Sequence, residues 1–176
     1  SSIFGSVIEG NTQGISIQSL ILAAEAARRD SNTDRAIRIL EAAYAMQPER
    51  LSVLNNLVYL LAQNPQTIAR ARALMPKLLE IGSESFAVMD TAAAVYLRSG
   101  DLENAKRWMN KAMAALDEDS YSASEVRLNA AELYLRQGKL EDARKGVDAL
   151  RQDASRTDFI DQKARSLLRD IQALER

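Results

Sequence analysis

The chain has 176 residues, of which 47% are hydrophobic and 27% are charged, and its formal net charge is −1. This length allows one domain with its own core and is too short for two ordinary domains, and the composition argues against wholesale disorder. Neither Cys nor His occurs, which excludes disulfides, thiolate and imidazole metal ligands, thiol nucleophiles and the usual general base at neutral pH.

Charge and hydropathy also limit the partners. Residues 1–88 hold 8 basic and 8 acidic side chains, and residues 89–176 hold 15 and 16, so no basic stripe is available for nucleic acid. No apolar run approaches the roughly 18 residues of a membrane span, and no signal-peptide pattern opens the chain. Because the chain starts at Ser1 without Met, we expect a piece of a longer protein. The composition does not distinguish cytoplasm from periplasm or envelope.

Residues 1–16 form the first predicted segment. They contain three of the seven glycines and match no part of the helical hairpins that follow. Two interpretations stay open for this leader, namely a frayed terminus and the stub of an upstream element.

Two helical hairpins are predicted next, over residues 17–50 and 51–85. Their apolar residues recur at helical spacing, and each hairpin has its own turn. The first turn contains Ser31-Asn32, where Asn tolerates the left-handed conformation better than most residues. The second turn, Asn64-Pro65, predicts a helix N-cap followed by a proline at the first helical position.

Two further hairpins, over residues 86–123 and 124–156, repeat one phrase. "YLRSGDLENAK" and "YLRQGKLEDAR" agree at seven of eleven positions and begin 38 residues apart. Gly100 and Gly138 should end the first helix of each pair. The spacing leaves a four-residue extension near Asp117 to Ala123, either a longer helix or an acidic loop. Residues 157–176 then carry one apolar stripe on a polar helix, which predicts a terminal capping helix.

This pattern resembles the tetratricopeptide repeat (TPR), a 34-residue helical hairpin. The resemblance covers about residues 17–155, and its anchor alanines are spaced by 35, 34 and 38 residues; they are Ala36, Ala71, Ala105 and Ala143. It implies an all-α, right-handed superhelix (α-solenoid) of about four TPR hairpins plus the capping helix. The chain is also similar to arrays in long bacterial TPR proteins, some of which are associated with envelope assembly or polysaccharide export.

In TPR arrays, the first helix of each hairpin lines a concave groove. The resemblance therefore implies a partner-binding groove in this chain. Its candidate residues are Asn55, Asn56, Tyr59, Asp90, Thr91, Arg98, Glu125, Asn129, Glu132 and Arg136.

The candidate groove residues have alternative interpretations. Asn56 and Asn129 offer amides that suit a peptide backbone, or they are ordinary polar residues of a helix surface. Tyr59 either stacks on a ligand or covers its neighbours. For Arg98 and Arg136 we favour solvated cations, and we expect Trp108, on a second helix, to pack between hairpins.

No motif supports catalysis, a cofactor or a metal. The chain has no Gly-rich phosphate loop, and Asp117-Glu118-Asp119 lacks calcium-loop spacing. Chaperone-adaptor TPRs hold a terminal carboxylate with Lys and Arg side chains at fixed repeat positions, and this chain has neither Lys nor Arg at those positions. We therefore predict a non-catalytic scaffold that binds a peptide or helical segment of another protein. The alternatives are a self-association or docking module, and an accessory domain of a larger enzyme.

Overall fold

The computed structural model describes Gly5 and residues 14–115, 122–152 and 158–175. The predicted leader lies mostly outside these residues, as does most of the extension near Asp117. Within the described part the chain forms helices and no strand. The helices are α1 (Ile17–Arg29), α2 (Thr33–Met46), α3 (Leu51–Leu61), α4 (Ile68–Gly82), α5 (Phe86–Arg98), α6 (Leu102–Ala114), α7 (Ser122–Arg136), α8 (Leu140–Gln152) and α9 (Asp158–Leu174). The all-α prediction is confirmed.

The chain divides into two compact units, residues 1–91 and 92–176. In the first unit, α1 packs against α2, α2 against α3, and α3 against α4. Each helix contributes one apolar face, because its buried residues recur every three or four positions. The largest fully buried side chains of this unit are Leu20, Ile39, Leu40, Leu54, Leu61, Leu78, Val53 and Val58.

The turn between α1 and α2 departs from the sequence prediction. Ser31, and not Asn32, takes the left-handed conformation, with φ of 58°. Asn32 instead caps α2, since its side chain accepts a hydrogen bond from the Arg35 amide at 3.2 Å. A side chain with an acceptor oxygen favours the N-cap position, and this preference decided the placement of Asn32.

The turn between α3 and α4 also differs from expectation. Helix α4 begins at Ile68, and Asn64 does not cap it directly. The Asn64 side chain accepts from the Gln66 amide at 2.8 Å, which is the local turn that Asn favours. The hydroxyl of Thr67 donates to the Leu61 carbonyl at 2.6 Å and links the end of α3 to the start of α4. Helix α4 continues through Pro76.

In the second unit, α6 packs against α7, α7 against α8, and α9 against both α7 and α8. The approach of α7 and α8 is close, because Ala131 and Ala143 are buried in one cluster. A Cβ added at Gly146 would lie 3.1 Å from the Ala131 Cβ. Helix α9 adds Ile160, Ala164, Leu167 and Ile171 to this cluster. Leu174, the last residue of α9, is 64% exposed, so the apolar stripe predicted for residues 157–176 is not buried to its end.

The repeated phrase produces one repeated turn. Gly100 and Gly138 have φ of 83° and 72°, as the sequence predicted. The amide after each glycine reaches back five residues, to the carbonyl of Tyr96 or Tyr134, at 2.9 Å in both cases. The turn at Ser31 is built in the same way, because the Asn32 amide donates to the Ala27 carbonyl at 2.9 Å. These bonds are those of the Schellman motif.

Candidate partner-binding site

Helix α3 carries three of the predicted groove residues in the first unit. Asn56 is exposed, whereas Asn55 and Tyr59 are half-buried. Asn55 Oδ1 is buried and has no hydrogen-bond partner among the described residues. A buried carbonyl oxygen without a donor is costly, so Asn55 carries an unsatisfied acceptor on α3.

Three other predicted groove residues lie in the interior. Asp90 and Thr91 of α5 are 8% and 2% exposed, and Asn129 of α7 is 4% exposed. Repeat position indicated a surface for these side chains, but their neighbours cover them. A partner would therefore reach little of their area, and their role in binding stays a prediction.

Helix α7 brings two predicted residues together. Arg136 is exposed and Glu132 is half-buried. The Arg136 guanidinium donates two hydrogen bonds to one oxygen of the Glu132 carboxylate, from Nη2 at 2.7 Å and from Nε at 3.1 Å. Arg136 Nη1 also donates to the Leu97 carbonyl at 3.1 Å. Arg136 therefore has protein partners on two helices, unlike the solvated cation that we favoured. Glu125, at the start of α7, is half-buried.

A similar cluster lies on α1. Arg28 donates twice to Glu25, at 2.8 and 2.9 Å, and Arg29 donates once at 3.2 Å. The hydrogen bond from Arg28 holds the pKa of the Glu25 carboxyl below its usual value, against the opposing effect of burial. A Glu that precedes an Arg by four residues on one helix is a recognisable sequence signal. That signal would have identified the Glu25–Arg29 and Glu132–Arg136 pairs, which the sequence analysis missed.

Arg98, at the end of α5, is the exception among the groove arginines. Its side chain is half-buried, and its Nη1 is buried without a hydrogen-bond partner in the described part of the chain. A guanidinium group carries several donors in a fixed geometry. Arg98 therefore presents a positioned cation whose donors the described residues do not all use.

Trp108 lies away from these residues, on α6. It is buried, and the Lys111 ammonium sits 4.5 Å from the centre of its ring. The indole is thus part of the interior of the second unit, and its packing between hairpins stays a prediction.

Across residues 14–115, 122–152 and 158–175, no group of three or more Asp and Glu side chains is arranged to hold a metal ion. None of the described helices is long and apolar enough to cross a membrane.

Comparison with known proteins identifies the fold. No family model matches the sequence, and no curated protein matches it. Among solved structures, a tetratricopeptide repeat protein from Parabacteroides merdae is 17% identical, with a TM-score of 0.67, covering 97% of this chain and 69% of that one. A thermophilic TPR protein from Thermus thermophilus is 19% identical, with a TM-score of 0.67 and coverages of 94% and 87%. A double mutant of MamA is 15% identical, with a TM-score of 0.57 and coverages of 92% and 96%. The chain therefore has the helical-repeat fold of TPR proteins.

Proposed function

We propose that the protein is a non-catalytic scaffold that binds a peptide or helical segment of another protein along the first helices of its hairpins. The TPR fold generally serves protein interaction, because stacked hairpins expose long binding surfaces without a catalytic pocket. The similarity to TPR structures supports this class of function. Each unit contributes first helices of its own, α1 and α3 in the first unit and α7 in the second.

The state of Asn55 carries the proposal. Its Oδ1 is buried without a partner on α3, and such an atom destabilises a free protein by about 1–3 kcal/mol. A bound peptide that uncovers this atom would supply the missing donor with a backbone N–H. Asn56 is exposed one residue further along α3 and offers a second amide to the same peptide.

Selection from a library of displayed random peptides tests this proposal. The library is panned on the full chain, and the affinities of selected peptides are then measured for Asn55→Leu. We expect Asn55→Leu to weaken binding by about tenfold or more, which corresponds to about 1.4 kcal/mol. In the free protein the same change should raise the unfolding midpoint, because it removes an unsatisfied polar atom.

Asn110→Leu is the matched control, because Asn110 is exposed on α6 and lies on a second helix. It should leave the peptide affinities unchanged. The proposal fails if the wild-type chain selects no peptide. It also fails if Asn55→Leu binds the selected peptides as tightly as the wild type.

One observation favours self-association as a second candidate function. Leu22, on α1, is 61% exposed, and α1 is the first helix of its hairpin. Such a side chain would be buried if α1 met a second copy of the chain. Light scattering of the wild type and Leu22→Glu tests this candidate. A dimer that becomes a monomer in the variant would support it, and a wild-type monomer at high concentration would exclude it.

A further inference from the structure

Three first helices end with an arginine in the same structural position. Each helix is closed by a residue with positive φ, and the arginine lies two residues before it. The pairs are Arg29 and Ser31, Arg98 and Gly100, and Arg136 and Gly138. In α1 and α7 this arginine is paired within its own helix. Glu25 accepts from Arg29 at 3.2 Å, and Glu132 accepts from Arg136 at 2.7 Å.

Helix α5 lacks this pairing. The residue four positions before Arg98 is Ala94, which is fully buried, so no carboxylate stands where Glu25 and Glu132 stand. Arg98 Nη1 is nevertheless buried, and it has no hydrogen-bond partner among the described residues. Helix α5 therefore has the arginine that α1 and α7 also have, but it carries the apolar Ala94 where they carry a glutamate.

The carbonyl at the end of α5 does not compensate. The Leu97 oxygen already accepts from the Gly100 amide at 3.1 Å and from Arg136 Nη1 at 3.1 Å. A carbonyl oxygen has two lone pairs, and both are occupied. The Leu97 carbonyl therefore offers no lone pair to Arg98, and no described residue accepts from its Nη1.

We propose that Arg98 anchors a carboxylate of the bound partner, supplied by an Asp or Glu side chain of the peptide. This inference rests on the proposed function and specifies the partner's chemistry. A single guanidinium matches the single charge and the two oxygens of a carboxylate. A phosphate carries more charge and is usually held by several arginines, whereas Arg29 and Arg136 are already neutralised by their glutamates.

The binding test uses peptides selected by the full chain from a displayed random library, then synthesised with amidated C-termini. Amidation removes the terminal carboxylate, so an acidic side chain is the only carboxylate left. We expect the selected peptides to share one Asp or Glu. Changing it to Asn or Gln should weaken binding about tenfold or more, and Arg98→Gln should cause the same loss. Combining the two changes should add little, because both remove one interaction.

Arg107→Gln is the control for net charge, since Arg107 is exposed on α6, and it should leave affinity unchanged. Peptides that bind tightly without a required acidic residue would overturn this inference and leave the scaffold function intact. Binding that needs a free C-terminus would assign Arg98 to the terminal carboxylate and overturn the side-chain assignment. A wild-type chain that selects no peptide would overturn the proposed function itself.

A stability measurement on the free protein tests the state of Arg98 without any ligand. Arg98→Met removes a donor that the described residues leave unused, so the melting temperature should stay the same or rise. Arg136→Met removes bonds to Glu132 and Leu97 and should lower it. If Arg98→Met lowers the melting temperature as much as Arg136→Met does, Arg98 has a structural partner within the chain and the inference is wrong.

Discussion

Arg136 Nη1 donates a hydrogen bond to the Leu97 carbonyl at 3.1 Å, so the end of α7 is tied to the end of α5. The same guanidinium holds the Glu132 carboxylate at 2.7 Å. The pairing orients the arginine, and the carbonyl then receives a charged donor. This arrangement links two consecutive first helices of the repeat.

Arg136→Met should destabilise the protein by about 1 kcal/mol. A hydrogen bond from a charged donor contributes more than this when it is buried, but Arg136 is exposed and solvent reduces the effect. Urea unfolding followed by circular dichroism measures the loss. Arg136→Lys is the control, because it keeps the charge and loses the fork that reaches both partners. Full stability in both variants would show that the Leu97 bond contributes nothing.

Ala143→Leu should destabilise the second unit by about 1–3 kcal/mol through overpacking. Ala143 is fully buried in the cluster that also contains Ala131, so a larger side chain there must displace its neighbours. Ala149→Leu on the same helix is the matched control, since Ala149 is exposed. Thermal unfolding compares the two variants. Equal midpoints would contradict the close approach of these helices.

Ser31→Gly should stabilise the protein by up to about 1 kcal/mol. Ser31 holds φ of 58°, a conformation that costs a residue with a Cβ about 1–2 kcal/mol and glycine nothing. The greater flexibility of glycine in the unfolded chain offsets part of this gain. The reverse change at the equivalent turn, Gly138→Ser, should destabilise. Chemical unfolding of both variants checks the prediction, and a loss of stability in Ser31→Gly would refute it.

Stability should fall on acidification, partly through Glu25. Arg28 lowers the pKa of this carboxyl below its ordinary value of 4.5, so the folded state favours the charged form. The resulting stability is present above the unfolded-state pKa and is lost as pH falls through the lower folded-state pKa. Between neutral pH and a pH below the folded-state pKa of Glu25, the Glu25→Gln variant should therefore lose less unfolding free energy than the wild type. Urea midpoints at the two pH values provide the measurement, and an unchanged difference would contradict the Arg28 pairing.

Much of the fold could be predicted from repetition in the sequence. Gly100 and Gly138 mark turns because few other residues adopt positive φ without strain. The same logic failed at Ser31-Asn32. Either Ser31 or Asn32 could take the left-handed position or cap the next helix. The hydrogen bond from the Arg35 amide to the Asn32 side chain shows that Asn32 is the cap.

The candidate site could be predicted only in part. Repeat position indicates the direction of a side chain, but it does not indicate how closely neighbouring elements approach. Thr91 and Asn129 are therefore buried, although their positions predicted a surface. Asn55 Oδ1 and Arg98 Nη1 are unsatisfied because no donor or acceptor of the described residues lies within hydrogen-bond distance of them. A single sequence does not show which groups come close together in the folded chain.

Chemical-shift mapping with a selected peptide tests the central claim most directly. Side-chain amide signals are recorded for the full chain during titration with a peptide selected from the displayed library. If the protein is a scaffold that uses its first helices, the amide signals of Asn55 and Asn56 should shift with the peptide's binding curve, while that of Asn110 on α6 stays in place. Saturable shifts at Asn110, with Asn55 and Asn56 unchanged, would contradict the account.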